Sequence, residues 1–393
     1  MAASGLMTTY KPLSVTFDKG DGVWLYDTDG KKYLDCISGI AVCGLGHCHP
    51  RVTQTIQDQA ARLVHTSNLY RISHQEALGA KLAEVSGMEA CFFGNSGAEA
   101  NECAIKIARL YGHNKGIEKP AIVVADHSFH GRTLATLSAT GSRKVQAGFE
   151  PLVQGFVRAP YDNLEAIRTI AENNPSVVAV MVEPVQGEGG IHVPKDDYLK
   201  GLRKICDDNG WLLILDEIQT GNGRTGTYFH YQQHDIVPDV VTTAKGLGNG
   251  MPIGACLAQG EAANTLKPGN HGSTYGGNPL VCATALTVVN TLVNENLPQR
   301  AGELGQRIMD GFRTALAGNK AVKQIRGKGL MMGIELNRPC AELVGQAMEQ
   351  GLLINVTSDK VVRLLPALVM SDEQADSMVA SVSQLIKDWA AQQ

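Results

Sequence analysis

Two short apolar stretches of this sequence each run into a charged residue. Residues 211–215 read WLLIL and are followed by Asp216, and residues 240–244 read VVTTA and are followed by Lys245. Short, partly β-branched runs with glycine close behind predict buried strands. In open α/β sheets, ligands bind beyond the carboxyl ends of the strands. Asp216 and Lys245 are therefore candidate site residues.

An acid and a lysine at neighbouring strand ends suit one chemistry in particular, that of pyridoxal 5'-phosphate (PLP). A lysine amine can hold the cofactor aldehyde as a Schiff base, and a carboxylate against the pyridine nitrogen keeps the ring protonated. Taken separately, each residue has a plainer interpretation. Asp216 could cap the next turn, and Lys245 could be a solvated loop residue.

Other polar segments also follow predicted strands. Residues 94–102 read GNSGAEANE after the strand 88–93 and open a helix. The backbone N–H groups of Ser96, Gly97 and Ala98 could cradle a phosphate at the positive end of that helix. Ser96 followed by Glu99 also fits an ordinary capping box, and the two interpretations are compatible.

The strands 121–125 and 177–182 are followed by DHSFHGRT and EPVQGEGG. Phe129 could stack on a planar ring and Arg132 could hold a substrate carboxylate, although a core aromatic and a surface ion pair are the plainer alternatives. Glu183 is either a site acid or a cap. Arg363 interrupts an apolar strand and needs an anionic partner, either an internal acid such as Glu183 or a substrate carboxylate.

Strands alternate with helices, such as those predicted at 164–173 and 197–209. This order predicts an α/β fold with a mostly parallel sheet covered by helices on both faces. Residues 10–36 indicate a β-meander, and the domain change is expected along a helix at 280–294. A single strand is predicted over 353–356.

Composition narrows the function further. The chain has 393 residues, 43 glycines, nine cysteines and a formal net charge of −4. This charge gives no electrostatic case for nucleic acid or an anionic membrane. The odd cysteine count without a paired CxxC motif predicts reduced thiols in a cytoplasmic protein, and no signal segment or membrane span is expected. The motif GLGHCHP (residues 44–50) is too tight for a closed zinc site, so no metal is predicted.

In the order and combination of these motifs, the sequence resembles the class III, fold-type I, PLP-dependent aminotransferases over nearly its full length. Further shared segments are DEIQTG (216–221), AKG (244–246) and STYGGNP (273–279). Within that family it is most similar to the acetylornithine aminotransferases, through SGIAV (38–42). The resemblance implies a large PLP-binding domain with a mostly parallel seven-stranded sheet, and a smaller α/β domain. The expected ranges are 1–60 for an N-terminal segment that joins the small domain, 61–279 for the large domain and 280–393 for the C-terminal small domain.

The resemblance also implies roles around the cofactor. Lys245 would form the Schiff base and move the proton, Asp216 would pair with the pyridinium nitrogen, and Gln219 would hydrogen-bond the ring hydroxyl. Phe129 would stack on the ring. The phosphate would be held by Ser96, Gly97 and Ala98.

Substrate contacts are implied in the same way. Arg132 would bind the α-carboxylate of acetylornithine, and Arg363 that of glutamate. Glu183 would pair with Arg363 when glutamate is absent. Thr274, with Ser273 beside it, would reach the phosphate and substrate from a neighbouring subunit, which makes a homodimer with shared sites the functional unit.

The implied reaction is ping-pong transfer of the terminal amino group of N2-acetylornithine to 2-oxoglutarate. The products would be N-acetylglutamate 5-semialdehyde and glutamate, in arginine biosynthesis. Ornithine δ-aminotransferases carry a tyrosine where this chain has Ile40, which favours an acylated donor, although isoleucine also suits 4-aminobutyrate-type enzymes. Succinylornithine and N-succinyl-diaminopimelate remain alternative donors, and a non-catalytic binding protein is a distant alternative.

Overall fold

The computed structural model describes residues 5–392 and contains three β-sheets. The strands are β1 Phe17–Asp21, β2 Trp24–Asp27, β3 Lys32–Asp35, β4 Ala90–Gly94, β5 Ala121–Ala125, β6 Phe156–Ala159, β7 Val177–Val182, β8 Leu212–Asp216, β9 Val240–Thr243, β10 Gly254–Ala258, β11 Val322–Lys328, β12 Met331–Leu336, β13 Leu352–Leu353, β14 Asn355–Thr357 and β15 Val361–Leu364.

Helices separate most of these strands. They are α1 Ser38–Ala41, α2 Pro50–Arg62, α3 Ser73–Ser86, α4 Gly97–Asn114, α5 Leu134–Ala139, α6 Arg143–Gln146, α7 Leu164–Asn173, α8 Tyr198–Asn209, α9 Gly260–Ala263, α10 Pro279–Asn294, α11 Leu297–Ala315, α12 Leu343–Glu349 and α13 Asp372–Ala391, with 3-10 turns at His230–His234 and Lys245–Leu247.

The central sheet has seven strands in the order β4-β10-β9-β8-β7-β5-β6. The pairs from β9 through β6 are parallel, and β10 runs antiparallel to both of its neighbours. Every residue of β7 and β8 is buried, because helices cover both faces of the sheet and apolar runs without alternation suit that position. The predicted mostly parallel seven-stranded α/β fold is confirmed.

Two smaller sheets flank the central one, in the orders β1-β2-β3-β13 and β11-β12-β15-β14. The predicted N-terminal meander forms β1 to β3. The prediction of a single strand at 353–356 is wrong. Leu352–Leu353 pairs with β3, buried Ile354 follows, and Asn355–Thr357 turns into the other sheet, where Asn355 lies opposite Arg363.

The pairing of β13 with β3 joins the N-terminal segment to the C-terminal part of the chain. It supports the division that we propose, with an N-terminal segment at 1–60, a large domain at 61–279 and a C-terminal small domain at 280–393. Within residues 5–392, no single helix is long and apolar enough to cross a membrane. Helices α10 and α11 pass that test only as a pair bent by 63°.

Candidate active site

A cavity of about 410 Å³ opens at the carboxyl ends of the central strands. It is within the size range of cofactor and small-ligand sites. Nine of the predicted site residues line it, namely Ser96, Gly97, Ala98, Phe129, Arg132, Glu183, Asp216, Gln219 and Lys245. Because they come from five separate loops, their convergence is a result of the fold.

Asp216 ends β8 with its carboxylate held from two sides. Its Oδ2 accepts hydrogen bonds from Asn101 Nδ2 on α4 and contacts His130 Nδ1, both at 2.8 Å, and its Oδ1 accepts from the Ile218 N–H at 3.1 Å. Asn101 is oriented in turn by Thr242, whose Oγ1 donates to Asn101 Oδ1 at 2.7 Å. These hydrogen bonds fix the direction in which the Asp216 carboxylate points.

The sequence analysis missed Asn101 and His130 as contributors to the site. The available signal was the polar Asn101 on a helix face that is otherwise small and apolar, between Ala100 and Cys103. Such a residue needs a buried partner. Since Asn101 and Asp216 are 115 residues apart, the sequence could not name that partner.

Lys245 follows β9 after Ala244 and has a left-handed backbone with φ of 44°. Its Nζ finds no hydrogen-bond or ion-pair partner within residues 5–392, although it lines the cavity. Burial lowers the pKa of Lys245 below its ordinary value, against the opposing influence of Glu188. A larger fraction of the amine is therefore neutral near pH 7 and able to act as a nucleophile.

The start of α4 forms one wall of the cavity. Ser96 is the N-cap, with its Oγ accepting from the Glu99 N–H at 3.2 Å, so the N–H groups of Gly97 and Ala98 lack partners inside the helix. A Cβ on Gly254 would lie 2.2 Å from the Ser96 carbonyl oxygen, so this wall packs closely on β10. The arrangement fits an anion at a helix N-terminus.

Phe129 and Arg132 lie on the loop after β5. The Arg132 guanidinium carbon is 5.7 Å from the centre of the Phe129 ring, and Arg132 is exposed to the cavity mouth. Glu183 accepts hydrogen bonds from the backbone N–H groups of Phe129 at 2.9 Å and Gly187 at 3.2 Å. Burial raises the pKa of Glu183 to about 7. Through its hydrogen bond with the Phe129 N–H, Glu183 connects the loop after β7 to the loop after β5.

The predicted pairing of Glu183 with Arg363 is wrong. Arg363 is 1% exposed, and its Nη1 pairs with Glu188 Oε1 at 2.6 Å while its Nε donates to Asn355 Oδ1 at 3.0 Å. Both carboxyl oxygens of Glu183 already accept hydrogen bonds from backbone N–H groups, whereas Glu188 lies on the part of the loop that faces the C-terminal sheet. Burial raises the pKa of Glu188, but the charge and hydrogen bond of Arg363 outweigh it and hold this pKa below its ordinary value.

Ser273 and Thr274 lie outside the cavity of their own chain. Ser273 Oγ accepts from Asn95 Nδ2 at 3.2 Å, and Asn95 lines the cavity, whereas Thr274 is exposed on the surface. Ile40 is also outside the cavity and 37% exposed, although Val42 two residues later lines it. The structure of one chain therefore leaves the predicted roles of Ser273, Thr274 and Ile40 as predictions.

The residues present fit PLP. The start of α4 suits a phosphate, Asp216 a ring nitrogen and Lys245 an aldehyde. Gln219 is 8% exposed and its buried Oε1 has no hydrogen-bond partner within the described chain, as expected of a group reserved for a ligand hydroxyl. Phe129 is half-buried at the cavity wall, where a planar ring would contact it.

Known proteins similar to this chain are aminotransferases. Residues 7–386 match the family model "Aminotransferase class-III". An acetylornithine aminotransferase of Nitrosomonas europaea is 57% identical over 98% of each chain. An ornithine aminotransferase of Toxoplasma gondii, solved with PLP partly occupying its active site, superposes with a TM-score of 0.94, at 34% identity over 98% of this chain and 94% of that one. An acetylornithine aminotransferase of Elizabethkingia anophelis gives a TM-score of 0.89, at 34% identity over 97% and 96%.

The chain belongs to the class-III aminotransferases and is a PLP-dependent transaminase. Its substrates are accordingly small molecules, and PLP is its cofactor. Glu188 is the main site residue that sequence reasoning failed to assign. Its signal was a carboxylate in a glycine-rich loop directly behind a buried strand, but Glu183 carries the same signal five residues earlier.

Proposed function

We propose that this enzyme transfers the terminal amino group of N2-acetylornithine to 2-oxoglutarate, giving N-acetylglutamate 5-semialdehyde and glutamate. The observation that carries the proposal is the ion pair between Glu188 and the buried Arg363 beside the cavity. One pocket must accept two unlike substrates in turn. The donor, acetylornithine, has one carboxylate and reacts through its terminal amine, whereas the acceptor, 2-oxoglutarate, has two carboxylates. A guanidinium that is covered by an internal carboxylate in one half-reaction and released in the other meets both needs.

The side chains around the cavity have distinct tasks in the proposed reaction. PLP, when bound, supplies an electron sink that stabilises negative charge on the substrate carbon. Ser96, Gly97 and Ala98 would hold its phosphate, Asp216 its ring nitrogen and Gln219 its ring hydroxyl. The amine of Lys245 would take a proton from the substrate carbon that bears the amino group and would deliver it to the cofactor. A lowered pKa favours the neutral amine that this general base must be.

Substrate orientation depends on the two arginines. Arg132 lies at the exposed side of the cavity, where its fork can bind the α-carboxylate of acetylornithine. Arg363 is buried and pairs with Glu188, which lines the cavity, and it binds a carboxylate of glutamate or 2-oxoglutarate once Glu188 turns away. Glu183 holds the backbone of Phe129, and so keeps that ring against the cavity.

We also propose a homodimer in which Thr274 acts on the partner's site. Thr274 is exposed and beside Tyr275, which is 63% exposed and packs on His65 at 5.4 Å between ring centres. Leu69 and Tyr70 are 86% and 69% exposed on the neighbouring segment. Large exposed apolar side chains that cluster beside a site residue indicate a protein interface. We place the enzyme in the cytoplasm, since its nine cysteines are free thiols.

The function is tested by steady-state kinetics with 2-oxoglutarate and four donors: acetylornithine, succinylornithine, ornithine and 4-aminobutyrate. We expect the highest kcat/KM for acetylornithine. A higher value for ornithine or 4-aminobutyrate would refute the proposed donor and leave the family assignment unchanged.

The shared site is tested by mixed dimers of Lys245→Ala and Thr274→Ala subunits. If Thr274 acts across the interface, the mixed dimer contains one site with both wild-type residues and recovers activity. If Thr274 acts within its own chain, no such site forms and the mixture gains nothing over its parents.

A further inference from the structure

One arginine of the C-terminal sheet makes three hydrogen bonds to the backbone of the loop that carries Glu188. Arg326 on β11 donates from Nε to the carbonyl oxygens of Gly190 at 3.2 Å and Ile191 at 2.9 Å, and from Nη2 to Gly190 at 2.7 Å. Its Nη1 pairs with Glu335 Oε2 on β12 at 2.5 Å, and its side chain is 9% exposed. Glu335 on β12 therefore orients the guanidinium, and the guanidinium donates hydrogen bonds to the backbone of the loop.

The carbonyl group of Glu188 itself is held from the same sheet. It accepts hydrogen bonds from Thr357 Oγ1 on β14 and from Ser358 Oγ at 3.4 Å. The same short strand supplies Asn355, which accepts from Arg363 Nε at 3.0 Å. One sheet therefore positions both the backbone at Glu188 and the guanidinium of Arg363. With both held, Glu188 can leave Arg363 only by rotation about its own side-chain bonds.

We propose that Arg326 is a positioning residue for specificity, which fixes the Glu188 loop so that the Glu188 carboxylate covers Arg363 whenever no dicarboxylate is bound. This inference rests on the proposed function, because it concerns the same acceptor pocket. Only a planar fork can bridge two successive carbonyl groups while bonding a carboxylate at its other end. Without it the loop gains backbone freedom, and the pair between Glu188 and Arg363 forms less often.

The test is a double-mutant cycle read by calorimetric binding of glutarate, a dicarboxylate without an amino group, to the PLP-loaded enzyme. Glu188→Gln removes the competing carboxylate and should strengthen glutarate binding about tenfold. Arg326→Ala should strengthen it about threefold when Glu188 is present, and should have no effect in the Glu188→Gln background, because the two residues act as one unit.

An equal effect of Arg326→Ala in both backgrounds, no effect in either, or weaker glutarate binding would overturn the inference. Arg326→Lys, which keeps a charge beside Glu335 but cannot bridge both carbonyl groups, gives the same cycle if the alanine variant does not fold. Arg300→Ala is the matched control, since Arg300 also bonds a carbonyl group and a carboxylate, at Met370 and Asp372, and it should leave glutarate binding unchanged. Absence of glutarate binding by the unmodified enzyme would instead count against the proposed acceptor.

Discussion

Replacing Arg363 by lysine should separate the two half-reactions. Arg363 is 1% exposed, and its guanidinium bonds Asn355 through Nε and Glu188 through Nη1. A lysine keeps the positive charge but offers a point donor instead of a planar fork. The lysine amine cannot donate to Asn355 and at the same time form two hydrogen bonds with a substrate carboxylate.

The size of the effect follows from the lost contact. A hydrogen bond to a charged group contributes about 1.5–3 kcal/mol, and each 1.36 kcal/mol corresponds to a factor of about ten. Arg363→Lys should therefore weaken binding of 2-oxoglutarate and glutamate by roughly 10- to 150-fold. The acetylornithine half-reaction should change less than about threefold, because in that step Arg363 faces Glu188 and not the donor.

Rapid-mixing absorbance measures each half-reaction separately, with acetylornithine added to the PLP form and 2-oxoglutarate to the pyridoxamine phosphate form. Arg300→Lys, at an arginine paired with Asp372 away from the cavity, is the control and should leave both unchanged. An equal loss in both half-reactions, or no loss in the 2-oxoglutarate step, would refute the assignment of Arg363 to the acceptor.

Three further outcomes are expected. Gly187→Ala should weaken PLP binding about tenfold, because the added Cβ would lie 2.3 Å from Gln219 Oε1 and force that amide to move. Equilibrium dialysis measures the affinity for PLP, and an unchanged affinity would contradict the role of Gln219. Because burial lowers the pKa of Lys245, the rate at which the cofactor-free enzyme binds PLP covalently should increase with pH and reach a plateau below pH 10.5. Stopped-flow absorbance measures this rate, and a plateau only above pH 10.5 would contradict the lowered pKa. The hydrogen bond to Asp35 raises the pKa of His47 from 6.5 to about 10, so the stabilisation of the fold by protonated His47 is complete below pH 6.5 and is lost as the pH rises toward 10. The free energy of unfolding in urea should therefore fall with pH over this range in the unaltered protein and not in His47→Gln. The same pH dependence in the variant would exclude His47 as its source.

The sequence predicted the parts of the site that follow from strand ends. Asp216 and Lys245 were recognisable because each comes at or just after a buried run, and parallel strands bring such ends to one edge of a sheet. The helix start at Ser96 was recognisable for a similar local reason. These predictions needed only the pattern within a few residues.

The sequence could not predict contacts between distant segments. Arg363 required an anion, but Glu183 and Glu188 are two glutamates of one loop, and only the fold decides which carboxylate faces the C-terminal sheet. Residues 353–356 were predicted as one strand because their pattern does not show that the chain passes from one sheet to the other at Ile354. Both errors concern which partner a segment meets.

We propose that the ends of β8 and β9 form a PLP site in which Lys245 carries the cofactor. The most direct measurement is sodium borohydride treatment of the PLP-loaded protein, which fixes the cofactor covalently to its lysine, followed by peptide mass mapping. We expect modification of Lys245 in the unaltered protein and no modification at that position in the Lys245→Ala variant. Stoichiometric modification of a different lysine in the unaltered protein would contradict it.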